Sequence, residues 1–505
     1  MRTDGTAGHA EALGATAMQR LETLGGLVGR PAAEGLAAIE RWCAQERLVP
    51  RRVVGAGAEH LLVEVPAAQP AFASSQRQAL LITARWEPPG RGDGVEVAAA
   101  CGGVLTVQAL AAAGALAAGQ AGDGPMAARD LLLSFEVPVG GPEHAGRQAV
   151  ESELEGEENA SRSTPEPPLR TRSRPEAEQV PTPFTRSTKP AERGRPTEGV
   201  PRSAAASPRG SPDSRPQGRN PGELQALLAR SLVAIAEPGG WPLLRSQGGK
   251  RVVIAIGVAQ KGRLELRLHT RGGATDHALE GGSVVPIRLL EALDAVRALP
   301  RPWTVTPTAR AFVRRMAGAL GPGRGLALRA LIGRGASRAL LERLPDIDTE
   351  LLDALFRESF TITRIRAGGE RAEAILDWHT LPGRGRQAVL EELRAALPRG
   401  TGIDVLRERP AVEAPEHTPL WRVLEPATAA ALPGATVVPM PIPGGCDALG
   451  WRQTAIPCYG FAPLLVEGAD LLRARAAGAV PVTEPGLRWG TSLLVDVASR
   501  FCVEG

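Results

Sequence analysis

The side chains able to do chemistry are few and scattered. Seven histidines (His9, His60, His144, His269, His277, His379 and His417) and five cysteines (Cys43, Cys101, Cys446, Cys458 and Cys502) are spread over 505 residues. The cysteines form no Cys-x-x-Cys pair, so they read as buried free thiols of a reducing compartment, not as a metal knuckle or a disulfide framework. A GxSxG elbow, a Walker-type phosphate loop and a Cys–His nucleophile signature are all missing. Carboxylates remain. Glu87, Asp93, Glu96 and Glu136 flank one stretch and could supply oxygen ligands to a cation, but Asp93 and Glu96 sit in a Gly-rich loop, where acids are usually solvated. Glu237, in IAEPGG, needs a partner if it is half-buried, and Arg85 can offer a bidentate guanidinium. His277 and His379 read as surface or structural histidines. Asp447, beside Gly444-Gly445, reads as a loop-ordering group.

The elements that must position these groups centre on Leu80–Gly141. Apolar runs at Leu80–Thr83 and Leu131–Phe135 flank a helix rich in small apolar residues, which predicts buried parallel strands joined by a crossover. In such a sheet the loops leaving the carboxyl ends of the strands form the site, so Arg85-Trp86-Glu87 and Glu136-Val137-Pro138 are the places to inspect. Before this unit, helical spacing over 11–48 predicts two helices broken near Gly29-Arg30-Pro31, and His60–Val65 alternates like a strand. After it, 144–220 holds an acidic run (ESELEGEEN) and Ser/Thr/Pro/Arg-rich strings with almost no aliphatic residue, which predicts a disordered insert acting as a solvated tether.

A helix at Glu223–Ala229 and a strand in SLVAIAEPGG then resume the first domain. An α+β block follows, with paired strands at Val252–Gly257 and Arg263–His269, and a helix with Val284, Ile287, Leu290 and Leu293 inward. Further helices run to Leu355, then come strands at Phe360–Arg366 and in LDWHTLPG, a helix at Arg386–Leu397 and a strand at Gly402–Leu406. The last segment returns to the α/β pattern. The expected architecture is α/β, one domain built from both chain ends (1–143, 221–250 and 409–505) with an inserted α+β domain (251–408) and the disordered insert (144–220).

Charge is nearly balanced, at a formal +4, with no long Lys/Arg block on an expected helix, so charge does not imply a nucleic-acid partner. Neither a signal peptide nor an apolar run long enough for a membrane span is evident. A cytoplasmic protein without a membrane or nucleic-acid partner is expected.

The order of elements and the strings IAEPGG, VAQKGRLELRL, LDWHTLPG and PIPGGCDALGWRQTAIPCYGFAP resemble the dinuclear zinc peptidases that include glutamate carboxypeptidase, aminoacylase, acetylornithine deacetylase, succinyl-diaminopimelate desuccinylase and carboxypeptidase S. The resemblance implies a zinc-peptidase α/β domain and an inserted dimerisation (lid) domain. It also implies two zinc ions held by His and carboxylates, and a Glu that takes a proton from a bridging water. The family's positions are nevertheless altered here. Arg85, Trp86 and Glu87 stand at its His-x-Asp, and arginine offers only donors. Ala99 stands near its bridging Asp, and Val137-Pro138 replaces its Glu-Glu. Ala477 falls in its late His-Gly-x-Asp-Glu motif. Glu237 matches a ligand, with Glu87 a second vestige. His277 is the nearest equivalent of a residue that reaches a neighbouring subunit's site, and His379 stands at a usual Arg. With Asp447, these are the candidate ligand contacts.

The expectation is a pseudoenzyme with no catalytic residue, no intact metal site and no cofactor. It would have a binding or scaffold role for a small molecule or peptide, as a homodimer through 251–408. The alternative is an active zinc hydrolase that cleaves amide bonds of N-acyl amino acids or small peptides.

Overall fold

The leucine stripes of the first segment form two helices, α1 (Thr3–Gly25) and α2 (Ala32–Gln45). Leu21, Leu24, Leu36, Ile39 and Cys43 are fully buried, as their spacing predicts. An antiparallel hairpin of β1 (Pro50–Gly55) and β2 (Ala58–Val65) follows. β1 adds to the sequence expectation, because its only apolar pair, Val53-Val54, stands behind Pro-Arg-Arg and shows no alternation. Next comes the expected βαβ unit: β3 (Ala79–Arg85), α3 (Val104–Gln120) and β4 (Asp130–Pro138), with the strands parallel. α3 is buried from Val104 to Gly114 without a polar face, as an all-round apolar helix must be.

The computed structural model describes residues 3–27, 32–55, 58–68, 78–86, 103–120, 127–138, 229–237, 239–245, 252–272, 284–334, 349–368, 371–442, 456–466 and 479–503. The insert expected at 144–220, most of the helix expected at Glu223–Ala229, and Glu87, Ala99, His277, Asp447 and Ala477 lie outside them. The chain divides into two units, Met1–Gly141 with Arg219–Gly505, and Pro142–Gly218. All described residues belong to the first.

β5 (Ser231–Ala236) lies parallel to β3. β6 (Trp241–Arg245) and β7 (Val252–Gln260) pair antiparallel. β8 (Gly262–Arg271) begins a second sheet, followed by α4 (Val284–Ala298), α5 (Pro307–Leu320), α6 (Pro322–Arg334) and α7 (Thr349–Phe356). β9 (Ser359–Ala367), β10 (Arg371–Thr380), α8 (Arg386–Ala396) and β11 (Thr401–Arg409) complete that sheet. The chain then returns through β12 (Val412–Glu413), α9 (Pro419–Ala431), β13 (Ala435–Ile442), β14 (Cys458–Gly460) and α10 (Glu484–Val503).

Among the described residues the large sheet has ten strands, ordered β1-β2-β4-β3-β5-β14-β7-β12, with β13 and β6 also pairing β7. One face packs on α1, α2, α3, α9 and α10 through Leu80, Ile82, Leu133, Val233, Ile256 and their neighbours. Where β7 and β13 lie, the other face packs on α5, α6 and α7 through Val253, Ala255, Phe312, Met316, Phe356 and Met440. β7 is therefore buried along its whole length, as a strand covered on both faces should be. The small sheet runs β11-β8-β10-β9 with antiparallel neighbours. In chain order that is 4-1-3-2, the split βαβ arrangement, with α4 and α8 sharing its apolar cluster.

Two expectations are corrected. Val252–Gly257 and Arg263–His269 do not pair with each other: the first belongs to β7 in the large sheet and the second to β8 in the small one. The chain changes sheets at Lys261, where both apolar runs read alike in sequence. The inward stripe of α4 is also rotated. Leu289, Ala292, Leu293 and Val296 are buried, whereas Ile287 and Leu290 are 55% and 58% exposed. The helix carries apolar residues on more than one side, so spacing alone could not choose the face.

The hinge between the sheets is tight. A Cβ on Gly262 would lie 2.6 Å from the Ala411 nitrogen, in the link between β11 and β12. The buried Lys261 ammonium donates to the Arg357 carbonyl at 2.6 Å, tying the β7–β8 crossing to the one that enters β9. Burial pushes this lysine down to about 8, partly offset by Glu358 and Asp353.

The face assignment of α4 is testable by urea denaturation. Leu289→Ala should cost about 2–5 kcal/mol and Leu290→Ala within about 0.5 kcal/mol. The opposite ranking would restore the stripe expected from sequence.

Candidate functional site

Three parallel strands, β4, β3 and β5, end side by side, and the polar groups at their carboxyl ends form the candidate site. Arg85 closes β3 and is in register with Glu136 on β4, which is in register with His60 on β2. By strand alternation all three leave the face that carries Leu81 and Leu132, opposite the α3 face. Arg85 Nε lies 3.9 Å from Glu136 Oε1, and the two side chains are 15% and 19% exposed. His60 Nδ1 lies 3.4 Å from Ser134 Oγ. Burial lowers the His60 imidazole to about 4, so it is neutral at pH 7. Trp86, the next residue after Arg85, turns to the other face and is buried. Its ring fills the space left by Gly35 of α2, where an added Cβ would lie 2.4 Å from the indole nitrogen.

Glu237 follows β5 and is 2% exposed. Its Oε1 accepts a hydrogen bond from the Leu105 N–H at 3.0 Å, in the first turn of α3. That amide has no partner within the helix, and the helix N-terminus favours negative charge, so the carboxylate satisfies both needs. Arg85 and Glu237 thus leave opposite faces of the sheet, and each meets a different neighbour. Gly239 and Gly240 then turn the chain with φ of +147° and +85°. A Cβ on Gly239 would lie 1.9 Å from the Gly460 carbonyl oxygen, so the close approach of β14 requires glycine there.

The structure therefore brings Arg85, Val137, Pro138 and Glu237 to adjacent strand ends. Val137 and Pro138 are the last residues of β4, in register with Glu59 and Ala58. His379 is not among them: it lies on β10 of the small sheet, where Asp377 holds Arg263 at 2.7 Å and lies 3.8 Å from His379 Nε2. Burial moves His379 below its usual range, with Asp377 opposing and Lys261 and Arg263 adding to the shift. His60 is the residue that sequence reasoning passed over. Its place in an alternating strand was legible, but the pairing of β2 with β4 that sets it beside Glu136 was not. Cys43, Cys458 and Cys502 are buried, and these described cysteines form no disulfide with one another.

No family model matches the chain, and neither does any curated protein sequence. Solved structures do match. The Bacillus subtilis YXEP protein, a dinuclear metal-binding peptidase of the M20 family, is 13% identical with a TM-score of 0.50, covering 97% of this chain and 99% of its own. Aminopeptidase PepT from Bacillus cereus is 11% identical with a TM-score of 0.51, covering 97% and 98%. Human carnosine dipeptidase 1 is 11% identical with a TM-score of 0.50, covering 98% of both chains. The chain has the M20 metallopeptidase fold. At these identities the likeness concerns the fold alone. Among the described residues no group of three or more His, Cys, Asp or Glu is placed to hold a metal ion, and no helix is long and apolar enough to cross a membrane.

Two measurements test these roles. Glu237→Ala should lose about 1–2 kcal/mol of unfolding free energy, whereas Glu237→Gln, which keeps an acceptor for Leu105, should lose less. Equal losses would remove the capping role. For His60 the unfolded imidazole titrates near 6.5 and the folded one near 4, so the unfolded state binds more protons in between. Stability should fall as pH drops from 6.5 to 4, by up to roughly 3 kcal/mol from this group. A His60→Gln variant should show a shallower slope over that window in pH-dependent denaturation. An unchanged slope would refute the assignment.

Proposed function

We propose that this chain is a binding or scaffold protein on an M20-type peptidase fold, without the hydrolytic metal chemistry of the solved structures it resembles. The observation that carries the reading is Arg85. It occupies the strand end where the resemblance calls for the first metal-binding His, and it lies beside Glu136. A guanidinium stays protonated and has donors only, so it repels a cation and attracts a carboxylate. Glu136 faces that guanidinium and Glu237 accepts from an α3 amide, so the described carboxylates here have other work. These residues do not fit a pair of zinc ions, and no step is routed through one. In place of a metal ligand and a general base, Val137 and Pro138 end β4.

The ligand suited to such a scaffold is a small molecule or peptide held between the strand ends and the small sheet. A second copy of the chain would dock through the small sheet, whose helix α4 leaves Ile287 and Leu290 exposed. The rival reading is an active zinc hydrolase acting on amide bonds of N-acyl amino acids or small peptides.

Elemental analysis of the purified chain, followed by assays on N-acyl amino acids and dipeptides with and without added zinc, separates the two. The proposal expects substoichiometric metal and no turnover that a chelator abolishes. Stoichiometric zinc with chelator-sensitive hydrolysis would establish the rival.

A further inference from the structure

The helical hairpin α5–α6 concentrates charge of one sign. Each helix carries three arginines, and neither has an Asp or Glu. α5 buries Phe312, Val313, Met316 and Ala317 against the large sheet, which turns Arg310 and Arg314 outward at the i,i+4 spacing that sets two side chains side by side. Arg329 of α6 joins them, and with Ile332 the three line a recess of about 740 Å³. Arg315 is engaged elsewhere, ion-paired with Glu416 and Glu425. Among the described residues Arg310, Arg314 and Arg329 have no ion-pair partner, so three neighbouring like charges find no counter-charge there.

We infer that this recess binds a compact anion bearing adjacent phosphate groups, as in pyrophosphate or a nucleoside diphosphate. Guanidinium forks match phosphate oxygens two at a time, and three arginines from two helices lining one recess suit a ligand with more than one phosphate. The three arginines line one open recess, which favours a compact anion over an extended polyanion. Ile332 gives an apolar edge against which a nucleoside can rest. Among the described residues that line the recess, all belong to α5 and α6, and neither Arg85 nor Glu237 is one of them.

Calorimetric titration of the full chain with inorganic pyrophosphate, and separately with ADP, in low-salt buffer tests this. One-site binding is expected, weakened by added salt and reduced roughly tenfold or more in Arg314→Ala, with loss in the triple variant Arg310→Ala/Arg314→Ala/Arg329→Ala. Arg314→Lys should retain part of the affinity, and thermal melts of each variant establish that it is folded. Tighter binding of ADP than of pyrophosphate would assign the ligand as a nucleotide; equal binding would assign the free diphosphate. Absence of binding to the folded wild-type chain overturns the inference. So does equal affinity in the folded triple variant, or tighter binding of a single-stranded oligonucleotide than of either small anion.

Discussion

The approach of β14 to the end of β5 is the contact on which the rest of the large sheet depends. β14 pairs with β5 on one side and touches β7 at Gly460–Gly257 on the other, so a strand of three residues joins the two halves of the sheet. It fits only because the turn after Glu237 is built of glycines. The Phe461 N–H donates to the Ala236 carbonyl and the Ala462 N–H to the Gly239 carbonyl, both at 2.8 Å, while the Gly240 N–H reaches the Ala255 carbonyl at 2.6 Å. The same turn starts with the carboxylate that accepts from the α3 amide. One short segment therefore fixes the helix behind the sheet, the strand across it and the outline of the strand ends. Removing any of these contacts would leave buried backbone groups unsatisfied.

Much of this scaffold is legible in sequence because it is local. The βαβ unit declares itself through apolar runs of strand length around a helix of small residues, and both strands and the helix fall where the pattern places them. IAEPGG likewise carries its turn chemistry in the two glycines. The parts that differ from the pattern in sequence are those decided by distant partners. Nothing in VVIAIGVAQKGRLELRL marks Lys261 as the point where the chain leaves one sheet for another, since both sides are apolar and rich in β-formers. The face of α4 is set by which of its apolar sides meets β8 and β10. The place of His60 beside Glu136 depends on an antiparallel pairing seventy-odd positions apart in the chain, between β2 and β4. Spacing within a segment cannot report any of these.

The hinge shows how the small sheet is tied down despite being a separate layer. The chain crosses between sheets beside Lys261 and again beside Ala411, and these crossings touch at Gly262. A lysine ammonium buried here is costly, which its lowered titration point records, yet its bond to the Arg357 carbonyl engages a third crossing. Glu358, next along, accepts from the Trp378 indole at 3.0 Å and pairs with Arg384 at 3.3 Å. Polar groups at this junction are placed to fix an angle, where an apolar contact would permit sliding.

On the proposed reading, the alterations at the strand ends form a set whose members require one another. Carboxylates gathered around divalent cations are tolerable in a half-buried site because the cations neutralise them. Without the cations, each acid left behind would bear its own desolvation penalty and repel its neighbours. An arginine at the first position can compensate one carboxylate, and the structure gives it Glu136. A helix amide can compensate a second, and Glu237 takes that place. β4 closes with Val137 and Pro138, which carry no charge to compensate. On that reading, charge compensation accounts for Glu136 and Glu237 at these ends, and one substitution would not build a metal site there: Arg85→His alone would leave Glu136 without its guanidinium while supplying a cation with too few ligands.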